Sequence, residues 1–331
     1  MSKTDLQQQL LQKIEQGLQN LDIPIYPKNL YEPYSYAITV GGKRIRPMLT
    51  LLAAGLCKGT IDNALPAALA IEVLHNFTLV HDDIMDSAET RRGKPSVFKK
   101  WNQDIAILSG DVMFAHAYRQ LQFYGEDEFY SKEEFAALFQ SFSKAIITVC
   151  EGQALDMEFV ARTDVTHQEY IQMIAGKTAA LLSGSLEMGA IAAHALPQKR
   201  NELAKLGYEM GIAFQIQDDL LDATADPEKF GKRPGGDIFE GKKTYLTILA
   251  LERADNEQSF FIKRTLDDSQ PAAEAVNKVL QIMLNLNVID DVADEVNQHY
   301  QKSRKLLDNF ESSEYKKELE NLLIFLQNRD H

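Results

Sequence analysis

Long stretches of this chain run without a breaker, and that limits its fold more than any other feature. Pro66 to Asp86 and Tyr170 to His194 contain neither an interior proline nor paired glycines. Elsewhere Leu6, Leu10, Ile14 and Leu18 recur at helical spacing among polar residues, as do Leu306, Leu307 and Phe310, then Leu319, Leu322, Leu323 and Leu326. No stretch reads as a regular set of short alternating strands with hairpin turns. Breakers gather at Gly41-Gly42, Arg92-Gly93-Lys94-Pro95, Gly125 and Asp226 to Gly241. None of these is a long polar linker, and no internal repeat is evident. The expectation is all-α: one large helical bundle around a central cavity, spanning 1–331 as a single domain.

Composition narrows the function. Asp plus Glu number 48 against 35 Lys plus Arg, a net charge of −13, which argues against a nucleic-acid partner. Cys57 and Cys150 are too few for a disulfide framework and sit among apolar neighbours, so both are expected in the core, reduced. The first residues lack the apolar stretch of a secretory leader. Ala179 to Leu196 is the nearest approach to a membrane span. Its Ser183, Ser185, Glu187 and His194 fit a buried bundle helix better, so no transmembrane segment and a cytoplasmic location are expected.

The sharpest local signal is His81-Asp82-Asp83-Ile84-Met85-Asp86, followed by Arg91-Arg92-Gly93. On a helix Asp82 and Asp86 stand one turn apart on one face, with Asp83 beside them. Three such carboxylates repel unless a cation intervenes, and an oxygen-only donor set suits Mg²⁺. A solvated acidic face is the ordinary alternative, but Phe77, Leu79, Val80, Ile84 and Met85 make the surroundings apolar. The arrangement recurs as Phe214-Gln215-Ile216-Gln217-Asp218-Asp219-Leu220-Leu221-Asp222, where Gln215 shares a face with Asp218. Two such sets suggest facing helices that hold metal between them, with a polyphosphate completing the shell. Basic segments alternate with them: Gly41-Gly42-Lys43-Arg44-Ile45-Arg46-Pro47, Arg91 to Lys94, Gly231-Lys232-Arg233 and Gly241-Lys242-Lys243. Arg and Lys there are suited to phosphate oxygens.

These residues, with Gly-Gly-Asp-Ile-Phe-Glu-Gly-Lys-Lys-Thr at 235–244, make the chain resemble the trans-isoprenyl diphosphate synthases of the polyprenyl synthetase family. The resemblance spans nearly the whole chain. It implies an all-α prenyltransferase, usually a homodimer, that condenses an allylic prenyl diphosphate with isopentenyl diphosphate. It further implies that Asp82, Asp83, Asp86, Asp218, Asp219 and Asp222 hold Mg²⁺, up to three ions per site. Arg91, Lys177, Lys232 and Lys242 would contact the allylic diphosphate, and Lys43, Arg46, His75 and Arg92 the isopentenyl diphosphate. Thr178 and Gln215 would stand beside the developing allylic cation, and the 226–243 loop would close over the site. Helix geometry independently places His75, Asp82 and Asp86 within roughly 40° of one another.

Product length rests on the resemblance as well. Bulky residues just before the first aspartates floor the chain pocket in this family, and here those positions are Phe77 and Thr78. One aromatic with a small neighbour resembles C20 synthases more than C15 ones, so geranylgeranyl diphosphate is favoured over farnesyl diphosphate. A class I terpene cyclase shares the bundle and one aspartate motif, but the second motif and Gly41 to Arg46 argue against it. A His-Asp phosphohydrolase would want more histidines near the motifs. A non-catalytic regulatory subunit would be expected to have lost carboxylates, whereas all six are present. The apolar helices between residues 105 and 150 are the candidate dimer surface.

Overall fold

The computed structural model describes residues 4–224 and 234–329. Helices dominate, as the periodicity predicts. In chain order they are α1 (Asp5–Gln19), α2 (Lys28–Thr39), α3 (Ile45–Leu56), α4 (Ile61–Met85), α5 (Val97–Lys100), α6 (Gln103–Gln120), α7 (Gln122–Glu126) and α8 (Lys132–Val160). After these come α9 (His167–Ile174), a π-turn at Ala175–Ala179, α10 (Ala180–Ala192), α11 (Pro197–Thr224) and α12 (Gly236–Phe239). The last are α13 (Tyr245–Arg253), α14 (Asn256–Leu266), α15 (Ala273–Asn285), α16 (Val288–Leu307) and α17 (Glu314–Gln327). Two compact units result. One comprises residues up to Ile146, Gly184–Ala204 and Phe310–Leu319; the other comprises Ile147–Ser183, Lys205–Asn309 and the residues from Glu320 on.

In the first unit α4 is the core helix. Ala64, Ala67, Ala68, Ala70, Ile71 and Val73 are wholly buried, which is why α4 shows no amphipathic stripe. Its alanines let neighbouring helices approach, and Gly110 of α6 leaves the space that the His81 ring fills. His81 is thereby a packing residue, with Nε2 3.2 Å from the Ile107 carbonyl. The helix starts at Ile61, so Pro66 lies inside it. α4 is also the one helix, among the described residues, long and apolar enough to meet a membrane-span criterion. The sequence had pointed to 179–196 instead. With 61% of the apolar window buried inside the protein, α4 reads as a core helix.

A feature the sequence reading lacked is a two-stranded ribbon, β1 (Thr90–Arg91) and β2 (Lys94–Pro95). Arg92 and Gly93 join the strands with φ of 54° and 73°, the positive values a two-residue hairpin turn needs.

The run from Tyr170 to His194, whose part up to Ser183 belongs to the second unit, is not one regular helix, because the π-turn interrupts it at Gly176-Lys177-Thr178. A Cβ at Gly152 would lie 2.2 Å from the Lys177 nitrogen, so these backbones touch only because the residue is glycine. π-turns of this kind re-aim side chains, here Lys177 and Thr178.

The cysteines correct an expectation. Cys57 is half-buried and Cys150 is exposed. Cys150 shares an outward stripe of α8 with Ile147, Ala154 and Met157, all exposed. Apolar periodicity marks a face that avoids water but does not say whether this chain covers it.

Candidate active site

In the first unit the basic turn sorts its side chains. Gly41 and Gly42 take φ of 95° and 153°, and Arg44 sits at φ 50° as the residue before α3. Arg44 turns inward, 4% exposed, and donates to Glu15, Glu72 and the Ile38 carbonyl. Glu72 is 2% exposed and also accepts from Asn76. Lys43 is exposed. Arg46 Nη1 lies 3.1 Å from His75 Nε2. Burial, reinforced by Arg46, Arg92, Arg91 and Arg44, holds His75 well below the usual imidazole range, so the ring is neutral and accepts from Arg46. Burial likewise pushes Arg46 down to about 10. Its Nε is buried with no protein partner. Arg92 lies so close to Gly42 that a Cβ there would be 2.8 Å from the guanidinium. Arg46, His75 and Arg92 thus gather as one cationic patch carrying an unused buried donor.

The first aspartate motif splits. Asp83 is 3% exposed and receives two hydrogen bonds from Arg91, Nε at 2.8 Å and Nη2 at 2.5 Å. Burial raises its pKa while Arg91 opposes the rise. Asp82 is half-buried, and Asp86 is exposed at the C-terminal cap of α4. The Phe77 ring lies 4.7 Å from His81 and 5.4 Å from Phe114, and Thr78 donates to the His75 carbonyl.

In the second unit a cavity of about 300 Å³ is lined by both signs of charge: Asp156, Asp218, Asp219, Asp222 and Asp237 with Lys177, Lys242 and Lys243. Asp219 is 7% exposed and held by Tyr170 Oη at 2.5 Å, Gln215 Nε2 at 3.2 Å and the Tyr245 amide at 3.4 Å. Burial lifts its pKa to about 7, against the pull of Tyr170. Gln215 therefore bonds Asp219, four residues on, whereas the sequence had pointed to Asp218. Thr178 Oγ1 donates to Gln215 Oε1 at 2.8 Å. Lys177 pairs with Asp156 at 2.5 Å. Asp222 accepts from the Asp237 amide at 2.9 Å, and Lys242 bridges Asp237 and Glu240. Burial raises both Asp222 and Asp237; repulsion from Asp237 and Glu240 adds to the first, and from Glu240 and Asp156 to the second. Lys232 lies outside the described residues, as does much of the 226–243 loop.

Among the described residues no three metal-ligating side chains converge on one point. Mg²⁺ takes one or two carboxylates and leaves other positions to water and substrate phosphate. The donors are hard oxygens, and in the cavity of the second unit the crowded acids have raised pKa values that a divalent cation would relieve. The residues present fit the ion.

The sequence assigns no role to Asp156, Tyr170 or Glu72, marks Asp237 only as part of the 235–244 motif, and groups Arg44 with the cations suited to phosphate, whereas Arg44 turns inward to Glu15 and Glu72. Asp156 sits beside Met157 and Glu158 on α8, with no local mark to separate it from a solvated acid. Tyr170 could have been suspected only as a tyrosine in an apolar run, whose hydroxyl needs a partner when buried.

Two aspartate motifs, each beside cations on a helical scaffold, fit a class of protein that handles diphosphates. The comparisons specify it. The pattern described as Polyprenyl synthetase matches residues 27–283, and the chain belongs to that family. It is 38% identical over 310 residues to a short chain isoprenyl diphosphate synthase of Methanothermobacter thermautotrophicus, covering 93% of this chain and 92% of that one. It is 41% identical over 258 residues to a geranylgeranyl diphosphate synthase of Saccharolobus solfataricus, covering 77% and 76%. The crystal structure of geranylgeranyl pyrophosphate synthetase from Pyrococcus horikoshii superimposes with a TM-score of 0.91 at 35% identity, covering 98% and 97%. The protein is a short-chain trans-prenyltransferase with the all-α fold of its structural neighbours.

Proposed function

We propose that this protein makes geranylgeranyl diphosphate (C20) by joining isopentenyl diphosphate to an allylic diphosphate, as a cytoplasmic, Mg²⁺-dependent homodimer in which residues 1–331 act as one catalytic domain. When bound, Mg²⁺ supplies the charge that neutralises the departing pyrophosphate, so that the allylic C–O bond ionises. Asp82, Asp83, Asp86, Asp218, Asp219 and Asp222 are the carboxylates assigned to it. Within that set Asp83 also accepts from Arg91, and Asp219 accepts from Gln215. Lys177, Lys242, Arg91 and Lys232 grip the allylic diphosphate.

Arg46, Arg92, Lys43 and His75 hold the isopentenyl diphosphate. The unused Nε–H of Arg46 supports this, because a buried donor without a protein partner suits an anion. A neutral His75 leaves the full charge of Arg46 to the substrate. Thr178 and Gln215 present a linked pair of oxygens on the cavity wall, suited to a developing carbocation. The proton lost after bond formation goes to the released pyrophosphate, so no Ser/His or Glu base is required. The exposed apolar side chains Ile107 and Leu108 of α6 and the outward stripe of α8 support the homodimer.

The observation that carries the C20 product is Phe77, whose ring is braced by Phe114 less than two turns of α4 before Asp82. Phe77→Ala opens that floor, and products longer than C20 are expected from dimethylallyl diphosphate and isopentenyl diphosphate by chromatography of the dephosphorylated prenols. Unchanged product length removes Phe77 as the floor. A wild-type product that stops at C15 replaces geranylgeranyl with farnesyl diphosphate.

A further inference from the structure

The C-terminal segment reaches into the second aspartate motif. Gln327, the last residue of α17, is held through its carbonyl by Gln217 at 2.8 Å and through its side chain by Arg304 and Asn297. Tyr300 donates to Gln217 in turn. Two residues on, the Arg329 guanidinium lies 3.9 Å from the Phe214 ring centroid, donates to the Phe214 carbonyl at 2.7 Å and pairs with Asp218 Oδ1 at 2.5 Å. Phe214, Gln217 and Asp218 share one face of α11, so a single helix face receives the whole segment. The Arg329 side chain is only 7% exposed, and its Nε is buried with no protein partner. Burying a guanidinium this far needs a compensating anion, and Asp218 supplies it. Arginine keeps its charge at all working pH values, so the pair does not dissolve by proton loss.

We propose that Arg329 is a resident counter-ion of the second aspartate motif, which a divalent cation entering at Asp218 must displace, so that the C-terminal segment sets the metal affinity of that motif. This rests on the reading that the motif binds Mg²⁺. The guanidinium and the metal claim the same carboxylate oxygen, and only molecules with the pair open are competent to bind. If the closed pair outweighs the open one by about tenfold, the apparent Kd for metal rises by about tenfold.

The test is Mn²⁺ binding to the full chain without substrate, with free Mn²⁺ counted by electron paramagnetic resonance. Arg329→Gln is expected to bind about tenfold more tightly than the natural chain at the site lost in Asp218→Asn. Arg329→Lys, which keeps the charge, is expected to stay near the natural affinity. Unchanged or weaker binding in Arg329→Gln overturns the inference. So does an equal gain when Arg329→Gln is made in the Asp218→Asn background, which would show a diffuse charge effect, and so does absence of Mn²⁺ binding in both chains. Prenyl transfer is assayed separately. Tighter Mn²⁺ binding in a chain that condenses no prenyl diphosphates keeps this inference and removes the functional reading.

Discussion

Asp82→Asn is expected to lower kcat/KM by about three orders of magnitude while leaving the fold intact. Asp82 is only half-buried near the end of α4, and the substitution keeps its shape while removing its charge. Breaking the allylic C–O bond develops negative charge on the departing pyrophosphate, and under the proposed function a divalent cation that this carboxylate would hold would stabilise that charge in the transition state. Loss of one such stabiliser costs about 3–4 kcal/mol, a factor of about 10²–10³ or more in rate. Steady-state kinetics at saturating Mg²⁺, with circular dichroism as the folding control, checks it. A variant retaining more than about a tenth of natural kcat/KM would remove Asp82 from the machinery. Asp83→Asn should differ in kind. Its carboxylate is buried against Arg91, so its loss is expected to lower thermal stability together with activity.

Arg44→Leu is expected to destabilise the chain by about 3–5 kcal/mol, the cost of breaking a buried ion pair from one side. Glu72, 2% exposed, would be left with Asn76 as its remaining side-chain donor among those described above. The positive φ at Arg44 belongs to the same turn, so the entry to α3 and the placement of Arg46 depend on this contact. Urea denaturation at unchanged slope measures the loss. Arg44→Leu combined with Glu72→Leu should recover most of it, because the uncompensated charge is then gone. A loss below about 1 kcal/mol for Arg44→Leu alone would show that the pair contributes little.

The helices and both aspartate motifs were legible because they are local: a 3.6-residue period and carboxylates one turn apart can be read without knowing what lies opposite. What escaped depends on distant partners. Whether Asp82 or Asp83 faces inward is decided by Arg91, which a hairpin carries back to Asp83. That hairpin was hidden because Arg92-Gly93 looks like any loop until its positive φ values are known. The basic turn reads as three similar cations, yet Glu72 on α4 turns Arg44 inward while Lys43 stays in water. Cys150 read as core because an apolar stripe looks the same whether this chain covers it or not. The contact between Arg329 and Asp218 joins positions too far apart for any spacing rule to connect.

The central claim is bond formation between two prenyl diphosphates. The most direct measurement incubates the protein with Mg²⁺ and isopentenyl diphosphate together with C5, C10 or C15 allylic primers, each also supplied alone, while pyrophosphate and prenyl products are followed. The account predicts pyrophosphate release only when both substrates are present, with every primer extended to C20 and no further. Pyrophosphate released from an allylic primer alone, with no elongation when isopentenyl diphosphate is added, would contradict it.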